Sequence, residues 1–284
     1  MQNSKLYIVS TPIGNLADMT FRAVDTLKKS DLILAEDTRQ TLKLLNYYNI
    51  NVKLLSYHKF NEKSRIDEII DCLENGKRIS LVSDAGTPLL SDPGYVIVKK
   101  CIEESIDVEA IPGASSILPS VLLSGFDPGK FLFLGFMPKK TGERESTLKA
   151  LKEITCQVVF FESPNRVLET LKDISEILGD VDASVAKELT KIHEQVFRGK
   201  ISTILQHLND SNLKGEFTIT ILARSREGLN PEEEQFDIFD VKERVDFYIR
   251  QGKTMKEAIK STAEDAKMKK SDVYKIAHNL KIEH

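Results

Sequence analysis

Ser83-Asp84-Ala85-Gly86-Thr87-Pro88, followed at once by Leu89-Leu90-Ser91-Asp92-Pro93-Gly94, concentrates more chemical capability than any other stretch of the chain. It follows the apolar run Ile79 to Val82, which reads as a buried strand, and precedes Tyr95 to Ile102, which reads as a helix. An open α/β sheet keeps its ligand crevice at such a place, beyond the carboxyl ends of its strands. Asp84 stands at the strand end, where a carboxylate accepts hydrogen bonds from a polar or cationic ligand. Gly86 lets backbone approach a ligand, Pro88 stiffens the bend, and Asp92 with Pro93 offers an N-cap and a first helical position. One such turn alone is equally a sharp structural corner. Its recurrence along the chain gives it meaning.

The elements that must position these residues alternate through the first two thirds of the sequence. Strands are expected at Leu6–Val9, Leu32–Ala35, Val52–Leu55, Ile79–Val82 and Val108–Ile111. They end in Ser10-Thr11-Pro12-Ile13-Gly14-Asn15, Glu36-Asp37-Thr38-Arg39, Ser56-Tyr57-His58, the central stretch and Pro112-Gly113-Ala114-Ser115-Ser116. A helix from about Thr20 to Lys29 is expected to bury Phe21, Val24 and Leu27, and another follows with Leu42, Leu44 and Leu45 apolar. After Asn61, Ile66, Ile69, Ile70 and Leu73 recur at helical spacing until Gly76. A second lobe begins near Pro128. There Phe131–Phe136, Gln157–Phe161, Ser184–Ala186 and Gly215–Ala223 read as strands. Their loops are Pro138-Lys139-Lys140-Thr141-Gly142, Glu162-Ser163-Pro164 and Lys187-Glu188-Leu189-Thr190. Helices are expected from about Glu143 to Ile154 and, capped by Ser163 with Pro164 first, through Val167, Leu171, Ile174 and Leu178. Polar clusters that repeatedly fall at strand ends imply two α/β lobes facing each other across a polar crevice. That identifies a small-molecule site without naming the molecule.

Composition bounds the rest. At 284 residues, with 41% hydrophobic and 29% charged residues, the chain suits a soluble protein of two or three domains. A net charge of −3 gives no sign of a globally basic nucleic-acid binder. Cys72, Cys101 and Cys156 lie in apolar patterns without a Cys-x-x-Cys pair, so free thiols in a reducing compartment are expected and a zinc site is not. The five histidines do not cluster, which disfavours any metal. Apolar runs such as Phe131 to Met137 are too short to span a bilayer, and Met1 to Lys5 leaves no room for a signal peptide, so a cytoplasmic protein without membrane association is expected. No Gly-x-Gly pair exists, which excludes the dinucleotide fingerprint, and no Gly-x-Ser-x-Gly elbow is present.

The third region changes character. Residues 226–240 carry a net charge of −5 and read as a solvated acidic linker, whereas residues 241–284 carry +4. Three short helices are expected there: Val241–Arg250, Met255–Ala266 and Ser271–Lys281. The last two have helix-turn-helix proportions. A small bundle whose lysines only solvate it fits equally well. The domain plan is therefore 1–125, 126–225, the linker 226–240 and a basic helical module 241–284.

At this point the residues carry a resemblance. Thr11 to Leu16, Ala35 to Arg39, Ser83 to Gly94, Pro112 to Ser116, Phe161 to Pro164 and Lys187 to Thr190 resemble the bacterial ribosomal RNA small subunit methyltransferase I family. That family belongs to the tetrapyrrole-methylase superfamily, and the likeness covers nearly the whole chain. Where porphyrin and corrin methylases carry Gly-Asp-Pro, this chain has Ser83-Asp84-Ala85, which favours the RNA branch.

The resemblance implies methyl transfer from S-adenosylmethionine to the ribose 2′-oxygen of a cytidine in the decoding region of 16S ribosomal RNA, naked or in the assembled 30S subunit. It implies two α/β lobes with the cofactor in the cleft between them, as a homodimer. By position, Pro12, Ser83, Asp84, Ala85, Gly86, Pro88, Ser115, Ser116, Phe161, Leu189, Glu216 and Thr218 are then expected to line the cofactor pocket. Arg39, His58, Lys139 and Lys140 are expected to face RNA. Alignment of an already activated methyl group can supply on the order of 7–11 kcal/mol. A ribose hydroxyl is a poor nucleophile, so a base adds roughly a hundredfold or more. Asp37 and Glu188 are the candidates, although Glu36 or Asp37 serves equally as a helix cap and Glu188 as a partner of Lys187. Two other classes stay open. A tetrapyrrole methylase would share the cleft without needing the basic tail. A non-catalytic RNA-binding protein would keep the tail without needing polar loops at so many strand ends.

Overall fold

The computed structural model describes residues 4–209, 213–223, 238–266 and 268–278. The chain forms two compact units, Met1–Ser225 and Arg226–His284. The first contains two five-stranded sheets.

The first sheet holds β1 (Lys5–Val9), β2 (Leu32–Ala35), β3 (Leu54–Ser56), β4 (Arg78–Val82) and β5 (Asp107–Ile111), all parallel in the order β3-β2-β4-β1-β5. Strand alternation sends Leu32 and Leu34 to one face and Ile33 and Ala35 to the other, and each face has its own apolar core. Helix α1 (Phe21–Lys29), capped by Thr20, and α2 (Thr38–Tyr47), capped by Asp37, cover the second of these faces. Helices α3 (Glu62–Glu74) and α4 (Tyr95–Glu103) cover the first. The chain therefore leaves the adjacent strands β1 and β4 toward opposite faces. Between them lies the topological switch point, where open α/β sheets bind ligands.

The second sheet is mixed. It comprises β6 (Phe131–Phe136), β7 (Gln157–Glu162), β8 (Asp182–Lys187), β9 (Gln195–Lys200) and β10 (Phe217–Leu222), in the order β6-β7-β10-β8-β9. β6 and β7 are parallel, while β10 runs antiparallel between β7 and β8. Helices α6 (Thr141–Ala150), α7 (Val167–Leu178) and α8 (Ile201–Asn209) pack on one face. Helix α5 (Ile117–Leu123) packs on the other through Ile117 and Val121, and Ser120 and Thr220 hydrogen-bond across that contact.

Four expectations are corrected. Gly94, not Asp92, caps α4: its φ is +132°, and a Cβ there would lie 2.6 Å from Leu81. Ser163 and Pro164 form a turn before α7, which starts at Val167 after Arg166, because the Ser163 carbonyl accepts from the N–H groups of both Arg166 and Val167. Phe21 is 96% exposed, since the first residue of α1 points away from the sheet. Residues 195–209, read without structure, form β9 and α8.

The second unit contains α9 (Ile238–Arg250), α10 (Met255–Asp265) and α11 (Lys270–His278). A reciprocal capping box between Thr254 and Glu257 starts α10. Helix α9 begins three residues inside the expected linker, whose residues 226–237 lie outside the described residues, as do 279–281 of the last expected helix.

Candidate active site

The loop after β1 and the loop after β4 are tied together at the switch point. Thr11 and Gly86 exchange both backbone hydrogen bonds, at 2.8 and 3.0 Å. Gly86 has a φ of +79°, and a Cβ there would press on Ile13 at 3.1 Å. Thr87 extends the network by donating to the Ala114 carbonyl and accepting from Ser10. Three strand ends are thereby fixed to one another. Leu89, Ser91, Glu188 and Thr190 all have positive φ, a left-handed conformation that non-glycine residues adopt at some cost, and all sit in loops around this region.

A cavity of about 460 Å³ opens there, walled by both sheets. Asp84, Ala85, Gly86, Ser115, Ser116, Phe161, Leu189, Glu216 and Thr218 line it. Glu216 and Thr218 reach it because β10 is antiparallel: its first residues pair with the carboxyl ends of β7 and β8. Pro12 and Ser83 line an adjoining cavity instead, and Pro88 is buried beside neither.

The cavity is apolar on one side and acidic on another. Phe161 meets Phe133 and Phe136 edge to face, with ring centroids 5.0 and 5.4 Å apart. Opposite in character stand Glu36, Asp84 and Asp92. Burial, then the charges of Asp92 and Asp84, push the Glu36 carboxyl up to about 7. Burial, and to a smaller degree Asp84, also raises Asp92 against the opposing hydrogen bond from Ser83. Glu36 makes no hydrogen bond or ion pair with the described residues. Among the described residues no cluster of side chains could hold a metal ion, and no helix is long and apolar enough to cross a membrane.

The expected bases are committed elsewhere. Asp37 accepts from the backbone N–H and the guanidinium of Arg39, which hold its carboxyl down at about 2, and its own N–H donates to Asp84 at 2.9 Å. Burial works against ionisation of Glu188, but hydrogen bonds from Lys191 and from the Glu216 N–H outweigh it and leave the carboxyl below its ordinary value. Neither lines the cavity. Of the residues expected to face RNA, Arg39 is exposed and paired with Asp37, and His58 is half-buried with its Nδ1 accepting from the Phe60 N–H. Lys139 and Lys140 are exposed before α6, and the buried Arg144 holds that loop by donating to the carbonyls of Pro138 and Lys139.

Glu36, Asp92 and Phe136 also line the cavity, whereas the sequence reading gives Glu36 and Asp92 only as helix caps and Phe136 only as the end of a strand. Glu36 had a signal: it follows a strand buried along its whole length, in phase with Leu34. A second signal lies on α2, where Gln40, Lys43, Leu44 and Tyr47 fall at i, i+3, i+4 and i+7 and line the adjoining cavity.

Comparison with known proteins adds three findings. The family model for tetrapyrrole (corrin/porphyrin) methylases matches residues 5–205. Ribosomal RNA small subunit methyltransferase I of Bacillus subtilis (strain 168) is 45% identical over 273 residues, covering 96% of this chain and 94% of that protein. The protein of the same name from Thermotoga maritima is 49% identical over 217 residues, covering 76% and 97% respectively. In fold, a uroporphyrin-III-C-methyltransferase structure from Thermus thermophilus matches with a TM-score of 0.54 at 15% identity, covering 78% of this chain and 95% of that one. At that identity the likeness concerns architecture alone.

Proposed function

Because the chain belongs to the tetrapyrrole methylase family and, within it, to the ribosomal RNA small subunit methyltransferases I, we propose that it uses S-adenosylmethionine to methylate the ribose 2′-oxygen of a cytidine in the decoding region of 16S ribosomal RNA. One observation carries the reading: at the switch point, a cavity of cofactor size joins an apolar aromatic wall to a group of carboxylates that includes Glu36, Asp84 and Asp92. The aromatic wall suits an adenine ring, and the Asp84 and Asp92 carboxylates suit the cationic sulfur and ammonium groups of this donor. When bound, the donor supplies a methyl group that leaves sulfur, which keeps the bonding pair, as the ribose oxygen forms the new bond and gives up its proton.

The protein's part is alignment and proton acceptance. The Thr11–Gly86 bridge and the Asp37 N–H fix the backbone and carboxylate of the Asp84 turn. Glu36, uncommitted and titrating near neutrality, is the carboxylate suited to take up the hydroxyl proton. Asp37 and Glu188 serve as positioning residues, the first for Asp84 and the second for the turn that carries Leu189 and Lys191. A homodimer is part of this reading, supported by the exposed Leu118 and Leu122 one turn apart on α5. The test is transfer of labelled methyl from S-adenosylmethionine to undermethylated 30S subunits, to naked 16S RNA and to uroporphyrinogen. Alkali-resistant label at a cytidine is expected. Label in uroporphyrinogen alone would sink the assignment.

A further inference from the structure

Beside the donor cavity lies a second one, of about 590 Å³. Ile13, Asp84, Ala85 and Glu216 line both, so groups held in the two cavities meet across one shared wall. The far side of the second cavity is a face of α2 that bears Gln40, Thr41, Lys43 and Tyr47. Tyr47 is 61% exposed, which is unusual for so large an aromatic side chain. Lys43 donates to the Gln40 side-chain carbonyl at 3.1 Å and has no carboxylate partner among the described residues.

We infer that this second cavity takes the acceptor nucleotide, turned out of single-stranded RNA, with its base against Tyr47 and its phosphate at Lys43. The inference rests on the reading of the first cavity as the donor site. Sequence-specific recognition of RNA targets unstacked bases of single-stranded segments, and such a base needs an aromatic face and polar partners along its edge. The cavity offers one ring, one amide and one ammonium that pairs with no carboxylate among the described residues. A nucleotide presents one ring, one polar edge and one phosphate. A polycarboxylate macrocycle would need several cations, and the only other lysine on the wall, Lys191, is already paired with Glu188 and Glu216. With the base at α2, the ribose lies toward the shared wall, where Asp84 borders both cavities.

The experiment uses the full chain with Tyr47→Ala, Tyr47→Phe and Lys43→Ala. For each, S-adenosylmethionine affinity is measured by calorimetry, KM and kcat with 30S subunits, and folding by thermal melting. Tyr47→Ala is expected to raise the KM for RNA about ten- to hundredfold, with donor affinity unchanged and Tyr47→Phe restoring the KM. Lys43→Ala is expected to lower the slope of binding against salt by about one phosphate contact. A folded Tyr47→Ala protein with wild-type KM overturns the nucleotide pocket, as does an equal loss of donor affinity, which would place the donor in both cavities. Wild-type protein that methylates no RNA would overturn the underlying reading as well, and it is recognised before any variant is compared.

Discussion

Charge is handled in opposite ways by the two units. In the α/β unit several ionised groups are withdrawn from water. Arg144 is fully buried between Glu169 and Asp173, at 2.6 and 2.5 Å. Glu162 is buried against Arg166 and Thr170. Glu36 stands in the donor cavity without a partner. In the helical module the described ion pairs, Arg244 with Asp265 and Lys260 with Glu264, are at the surface, over a small core of valine, alanine and isoleucine. A desolvated charge interacts strongly and must be matched or put to use. A solvated charge is weak in any single contact, but it can be exchanged freely for the counterions of a polyanion. The α/β unit thus buries part of its charge, while the described ion pairs of the module stay in water.

The sharpest way to break this contrast is at Glu36. Glu36→Gln is expected to lower kcat roughly a hundredfold or more and to remove the rise in rate with pH expected of the wild type up to about pH 7, read from pH–rate profiles. The sign for stability is opposite to that of a paired carboxylate. The folded protein holds the Glu36 proton more tightly than the unfolded chain does, so this group favours folding below about pH 4.5 and loses that contribution as pH rises to about 7. Glu36→Gln is therefore expected to raise the melting temperature at pH 8 and to leave it nearly unchanged at pH 4. A wild-type pH dependence in the variant would remove Glu36 from proton transfer.

Next in size comes Arg144→Ala. It leaves Asp173 and Glu169 without their partner and frees the carbonyls of Pro138 and Lys139. Breaking a buried pair costs about 3–5 kcal/mol, so urea unfolding is expected to show a large drop in midpoint. A loss below about 1 kcal/mol would mean that the Arg144 charge is effectively solvated.

A chain ending at Ser225 tests the module directly. The Thermotoga maritima relative is covered to 97% by an alignment of 217 residues, which leaves it no room for a module of this length. The shortened chain is expected to bind S-adenosylmethionine as before and to lose about tenfold or less in affinity for 30S subunits at physiological salt, with partial recovery at low salt. Concurrent loss of cofactor binding and melting temperature would show that the module supports the α/β unit instead of adhering to RNA.

Two smaller effects sharpen the contrast. Lys139→Ala with Lys140→Ala is expected to flatten the salt dependence of RNA binding and leave donor affinity alone, since both side chains are exposed. Arg244→Ala is expected to cost about 1 kcal/mol or less by chemical denaturation, because its pairing with Asp265 is half exposed. A larger loss would mean that the module depends on its charges as the α/β unit does.

The amino-acid sequence by itself determined the elements and most of the cleft loops. Leu32–Ala35 and Phe131–Phe136 form strands with the expected limits, and Thr11, Asp84, Ser115 and Phe161 stand at strand ends as read. These are local properties, set by side-chain period and turn chemistry within a few residues. Edge strand β9 was not legible because Gln195–Lys200 is partly exposed and carries polar and charged residues with Val196 and Phe197. The helix-start signals at Asp92-Pro93 and Ser163-Pro164 were real turn signals, but neighbouring contacts decided where the helices begin. Tertiary structure alone decided what the cleft contains. It placed β10 antiparallel, which brought Glu216 and Thr218 to the cavity, and it joined Thr11 to Gly86 across 75 positions. It also left Glu36 without a partner while giving Arg39 to Asp37, and turned one face of α2 toward a second cavity. A proton affinity or a cavity wall depends on which distant groups come near and how much water they exclude. Neither is encoded in any short stretch of chain.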